Sequence, residues 1–145
     1  MSAGLWVLIV AVAIATAFGL WRAATDGRIR GTHRVHGLDT APPAADQPVR
    51  PWSDQLGERA TLVQFSSAFC APCRTTRHVL ADVAQSTPGV RHVEIDAEHH
   101  LELVRELGIM RTPTTLIIDS TGAEIARALG VPRKPQVMAT VDAVD

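Results

Sequence analysis

The run SAGLWVLIVAVAIATAFGLW, residues 2 to 21, carries no charged side chain. A helix rises about 1.5 Å per residue, so a run of this length reaches across a hydrocarbon core of roughly 30 Å. It predicts a single transmembrane helix and withdraws those residues from any water-soluble core. Trp6 and Trp21 stand toward its ends, where indole rings favour the headgroup level, and Arg22 closes it. The triplet ATA at 15 to 17 would suit a signal-peptide cleavage site. However, no basic segment precedes the run, and it is longer than the apolar part of a signal, so a retained span is the better reading. No Lys or Arg comes before the span, whereas Arg22, Arg28, Arg30 and Arg34 come after it with only Asp26 opposing. The excess of positive charge places the C-terminal part of the chain in the cytoplasm, the extracytoplasmic side being the alternative.

Residues 22 to 51 read as a basic, Pro-rich linker. GTHRVHGLDTAPPAADQPVRP, residues 31 to 51, has no apolar period and contains Pro42, Pro43, Pro48 and Pro51, the composition of an extended tether. His33 and His36 have a spacing that could grip a metal, but no further ligand stands near them in the sequence, so solvated linker histidines are the simpler account.

From Trp52 to the end the pattern becomes that of one domain. TLVQF, 61 to 65, is a short buried-type strand, and Val79, Leu80, Val83 and Ala84 then recur at helical spacing. GVRHVEID, 89 to 96, predicts a second strand, and Leu101, Val104 and Leu107 a second helix. TTLIID, the turn DSTG and AEIARA read as a β-hairpin. Val137, Met138, Val141 and Val144 are expected to share one face of a last helix, its start eased by Pro132 and Pro135. The order β-α-β-α-β-β-α predicts an α/β fold, a central mixed sheet flanked by helices. With a net charge of -1, 4% aromatic residues and no tyrosine, the chain lacks the basic bias and stacking groups that nucleic-acid binding requires.

Only two cysteines are present, Cys70 and Cys73, within AFCAPCRTT. A c-type haem site needs histidine after the second cysteine, and Arg74 stands there. Structural zinc needs four ligands, and neither a second CxxC nor an H-x3-H is present, although His78 and His92 remain available. The residues DAEHH, 96 to 100, are better explained as the cap and start of a helix than as a metal cluster. A purely structural bridge across so small a loop restricts the unfolded chain least, so it would add little stability. Redox exchange is the strongest remaining reading. Cys70 follows a buried strand and opens a helix, where free N–H groups and the positive end of the helix dipole favour a thiolate. Pro72 suits the first turn, and Cys73, one turn on, would lie beneath Cys70. Cys70 would then attack a substrate disulfide and Cys73 would resolve the product.

LVQFSSAFCAPCR resembles the strand-to-helix active-site stretch of the thioredoxin superfamily, and RTPTTLIIDSTG resembles the segment that carries its cis-proline. The resemblance covers roughly residues 60 to 145. It implies the thioredoxin-like fold, with Pro113 as a cis-proline packed on the cysteines and Thr112 offering backbone groups to an extended substrate peptide. PTTLIID-x-x-G is also similar to membrane-anchored thioredoxin-like thiol-disulfide oxidoreductases that serve cytochrome c maturation, without the helical insertion common in that group. The resemblance is imperfect at three places. Phe69 stands where the family usually has tryptophan and is expected to shield the sulfur. Ala71 replaces a glycine, and together with Pro72 it would line the substrate surface. Gln64 stands where thioredoxins bury a carboxylate, and since an amide accepts no proton, His92 on the neighbouring strand becomes the candidate for proton transfer.

The expected function is thiol-disulfide exchange on protein dithiols and disulfides by a membrane-tethered monomer, with an unidentified redox partner and neither cofactor nor metal. The competing reading is a tethered binding or scaffold module whose cysteines are not catalytic.

Overall fold

A computed structural model of the chain describes residues 3–25, 27–31 and 49–144. His33, His36 and most of the expected tether lie outside the described residues. Helix α1, Ala3–Thr25, runs for 23 residues, one turn beyond Trp21, and its apolar side chains are exposed along its length. It is long and apolar enough to cross a membrane.

The strands are β1 (Ile29–Gly31), β2 (Ala60–Ser66), β3 (Val90–Asp96), β4 (Thr114–Asp119) and β5 (Glu124–Leu129). The further helices are α2 (Ala71–Ser86), α3 (Leu101–Glu106) and α4 (Lys134–Asp142). The sheet order is β1-β5-β4-β2-β3, with β2 and β3 parallel and the other neighbours antiparallel. Alternation along the strands sends side chains to two cores. Leu62, Ile117 and Ala126 meet Leu80 and Val83 of α2 and Val137 and Val141 of α4. On the other face Val63, Phe65, Val93 and Leu116 meet Trp52, Ile109 and the side chains of α3. Trp52 stands edge-on to Phe65, ring centroids 6.1 Å apart, and so fixes where the domain begins against the sheet. The α/β class and the flanked mixed sheet are those the pattern predicts. The last helix is shorter than expected: α4 ends at Asp142, and Val144 lies beyond its C-cap Ala143.

The linker reading needs correction at its start. Residues 29–31 form β1, paired with β5 through Ile29 opposite Ala128 and Gly31 opposite Ala126. Three residues with one apolar side chain carry no period. The open backbone edge of β5 is what makes them a strand, and Ile29 packs against the α2/α4 core. The Gly27 N–H extends the pairing by donating to the Leu129 carbonyl at 2.8 Å. Gly27 has φ +74°, and a Cβ there would stand 1.9 Å from the Val131 carbonyl oxygen, so only glycine fits.

A Gly27→Ala substitution should therefore release β1. Beyond the roughly 1–2 kcal/mol of left-handed backbone cost, the clash leaves the segment nowhere to sit. Amide hydrogen exchange should show residues 29–31 losing protection while β2 and β4 keep theirs. Undiminished protection in β1 would contradict this packing.

Candidate active site

Strand β2 ends at Ser66, and the chain turns through Ser67, Ala68 and Phe69 into α2. Cys70 is the N-cap of that helix, with extended backbone (φ -96°, ψ 97°), and Pro72 occupies its first turn. The two sulfurs form a disulfide. The Cys73 N–H, in the first turn of the helix, is shared between the Cys70 carbonyl and Cys70 Sγ, each at 3.1 Å. Cys73 is 2% exposed, while Cys70 is half-buried. Ala71 and Pro72 lie on the surface beside Cys70.

Phe69 departs from expectation. Its ring is fully exposed, with no neighbouring side chains to hold it down, so it does not shield the sulfur. Met110 is also exposed, at 91%.

The Thr112–Pro113 peptide bond is cis, and Pro113 is buried at the start of β4. Its carbonyl accepts the Gly130 N–H at 2.8 Å, which joins it to the end of β5. The Thr112 hydroxyl stands 3.0 Å from that of Ser67, so a side-chain hydrogen bond ties the proline segment to the cysteine loop.

Beneath the disulfide, Gln64 is completely buried and its side chain points to α2. Its Nε2 donates to the Cys73 carbonyl at 2.9 Å and to the Ser66 hydroxyl at 2.7 Å. A carbonyl can only accept, which fixes the orientation of the amide and leaves Oε1 facing His92 Nε2 at 3.2 Å. Nε2 of His92 must then carry a proton and donate. His92 thus meets Gln64, two hydrogen bonds away from the Cys73 backbone. Burial pushes the His92 imidazole below its ordinary 6.5; the charge of Glu94 opposes this and that of Arg77 adds to it. Glu94 and Arg77 face each other through two contacts of 2.6 and 2.8 Å. Burial alone would raise the Glu94 carboxyl, but hydrogen bonds from Arg77 and Ser66 and the charge of Arg77 outweigh it and hold the group below the usual carboxylate range.

Ser66, Glu94 and Arg77 escape a reading based on motifs, yet period-two alternation carries the signal. Leu62, Gln64 and Ser66 share one face of β2, His92 and Glu94 share that face of β3, and Gln64 is in register with Glu94. In the DAEHH segment, Asp96 accepts the Glu98 N–H and pairs with His99 at 2.8 Å, a turn ahead of α3. No group of three or more metal-ligating side chains converges among the described residues.

Comparison with known proteins agrees with this geometry. Residues 49–143 match the thioredoxin family model. The chain is 40% identical over 60 residues to human thioredoxin domain-containing protein 2, covering 41% of this chain and 11% of that protein. It is 27% identical to thioredoxin H-type 1 of Nicotiana tabacum, covering 58% of this chain and 65% of that one. Both shares fall short of two thirds of the relatives' lengths. Among solved structures, chloroplastic thioredoxin z superposes with a TM-score of 0.54 at 28% identity, covering 60% of this chain and 79% of that one. A family match over most of the chain, a disulfide at the start of α2 and a sheet of this topology together make the chain a member of the thioredoxin family.

Proposed function

We propose that the chain is a membrane-tethered thiol-disulfide oxidoreductase acting on protein substrates through Cys70 and Cys73. The disulfide itself carries the reading, its outer sulfur half-buried at a helix start and its inner sulfur enclosed. In the reduced pair, the Cys70 thiolate attacks one sulfur of a substrate disulfide, and the other substrate sulfur leaves as a thiolate. Cys73 gives up its proton and attacks Cys70, which releases the substrate dithiol and restores the disulfide, so two electrons pass to the substrate. The reverse sequence oxidises a substrate dithiol. Phe69, Ala71 and Pro72 form the surface beside the outer sulfur. Thr112 and Pro113, tied to the cysteine loop through Ser67, offer an extended peptide a backbone edge. No cofactor enters these steps, and an external redox partner must recycle the pair.

Helix α1 supplies the anchor in this reading, and the arginines after it favour the cytoplasmic face. After the pair is reduced with a membrane-permeant reductant, a membrane-impermeant thiol reagent applied to intact cells and to inverted vesicles reports the side directly. Labelling of Cys70 in intact cells would reverse the cytoplasmic assignment.

Gln64 and His92 act here as positioning residues. Gln64 holds the Cys73 backbone, and His92 holds Gln64. Replacing Gln64 by Leu strips the Cys73 carbonyl of its side-chain donor, for an expected loss of about 1–3 kcal/mol in unfolding free energy.

The lowered His92 value has a sign. The unfolded imidazole protonates near 6.5 and the native one only at lower pH, so the stability present above 6.5 is lost as pH falls through the native value. His92→Gln should flatten that part of the profile in urea titrations run from neutral to mildly acidic pH. An unchanged profile would place the proton uptake elsewhere.

Cys73→Ser should trap a mixed disulfide between Cys70 and a client and abolish turnover, whereas Cys70→Ser should trap none through the inner sulfur. A binding or scaffold module would form no adduct with either variant, and non-reducing electrophoresis with mass spectrometry separates the two readings.

A further inference from the structure

The register of the sheet fixes the end of the domain at which the chain arrives from α1. Gly27 is bonded to Leu129, Leu129 lies opposite Thr114, and Thr114 lies opposite Phe65. The chain therefore enters the sheet from α1 at the end where β2 delivers the cysteine loop and where the Gly130 N–H holds Pro113. The opposite end carries the β4–β5 turn at 120–123 and the start of β2 at Ala60, which pairs with Asp119.

The junction is too short to reverse this arrangement. Arg22, the first charged residue after the apolar run, lies one helical turn before Thr25, and only Asp26 separates Thr25 from Gly27. At about 1.5 Å per helical residue and at most about 3.6 Å per extended one, Gly27 stays within roughly 12 Å of the level of Arg22. From β1 to β2 there are three strand spacings, about 14 Å. Cys70 thus sits a similar distance sideways from Gly27, at the same end of the strands. The exposed groups of this end agree with such a placement. Arg28, Arg74 in the first turn of α2, Arg111 before the cis peptide and Arg133 at the start of α4 are cationic, and Phe69 and Met110 are apolar. Asp96, Glu98 and Glu102, acidic groups of this end, come at or after the end of β3, the edge farthest from β1.

We infer that the domain is held with its Cys70 end against the bilayer surface, so that its partner is a membrane protein presenting a dithiol or disulfide at headgroup level on the same side. This rests on α1 being a membrane anchor. A partner whose cysteines stand far above the bilayer would meet the wrong end of the domain.

Headgroup quenching in liposomes tests it with the full chain. A fluorophore is attached either to Cys70 in Cys73→Ser, or to residue 120 in a Cys70→Ser, Cys73→Ser, Ser120→Cys variant, in vesicles containing a lipid with a headgroup-borne quencher. Emission should be lost at Cys70 and retained at residue 120. Retained emission at Cys70, or equal or greater loss at residue 120, overturns the inference. Flotation of the same samples reads the anchor separately. Protein that floats with the vesicles but shows the reversed pattern defeats the orientation alone, and protein that stays behind defeats the anchor and the orientation with it.

Discussion

All seven residues of β2 are buried, with β3 bonded on one side, β4 on the other and an apolar core on each face. A strand so enclosed can neither shift register nor tilt without exposing core or breaking a ladder. Its end is consequently held firmly, and the chain leaves it directly into the cysteine loop. The enclosure also obliges every polar group on β2 to find a partner inside. The Thr61 hydroxyl accepts the Gly57 N–H, and Gln64 spends its amide on Cys73, Ser66 and His92. The strand that builds the core therefore also sets the backbone of the inner cysteine.

An amide at position 64 differs in kind from a carboxylate there. A buried carboxylate must be protonated or paired, so its charge depends on pH. Gln64 carries no charge at any pH and answers the Cys73 carbonyl with a donor, which an ionised carboxylate cannot do. The titratable groups are displaced one layer outward, to His92 and Glu94. Glu94 lines a cleft of about 340 Å³ together with Ser66, Ser67, Ala68, Arg77 and Asp96. Solvent reaches the network from that side, while the inner sulfur stays enclosed.

Much of this was legible in the sequence because the features concerned are local. A buried-type strand, a CxPC opening a helix and a Pro113 segment leading into a hairpin are each written in consecutive residues, and they locate the cysteines and the order of the main strands. Gln64 was legible as a departure at a buried position. Its partners were not, since Ser66, Glu94 and Arg77 come together only through the parallel register of β2 and β3. The exposed ring of Phe69 was missed for a similar reason: apolar character predicts burial only where something stands close enough to cover it. β1 left no trace at all, because an edge strand of three residues is specified by its partner's free backbone and not by its own side chains.

That edge strand also joins two otherwise separate matters, the attachment of α1 and the closing of a sheet edge. Without β1, the outer side of β5 would present open N–H and C=O groups, a template for pairing with another chain. Residues 29–31 occupy the half of it nearest the cysteine end, from Ala126 to Ala128, and Gly27 adds the bond to Leu129. A flexible tether attached anywhere on the surface would hold the domain near a membrane, but it would leave that edge free. Running α1 into the sheet through Gly27 and β1 covers the edge and sets where the helix joins the domain with the same few hydrogen bonds. Only a residue without a Cβ can make the turn at 27, so the geometry of the whole attachment rests on one glycine against the Val131 carbonyl.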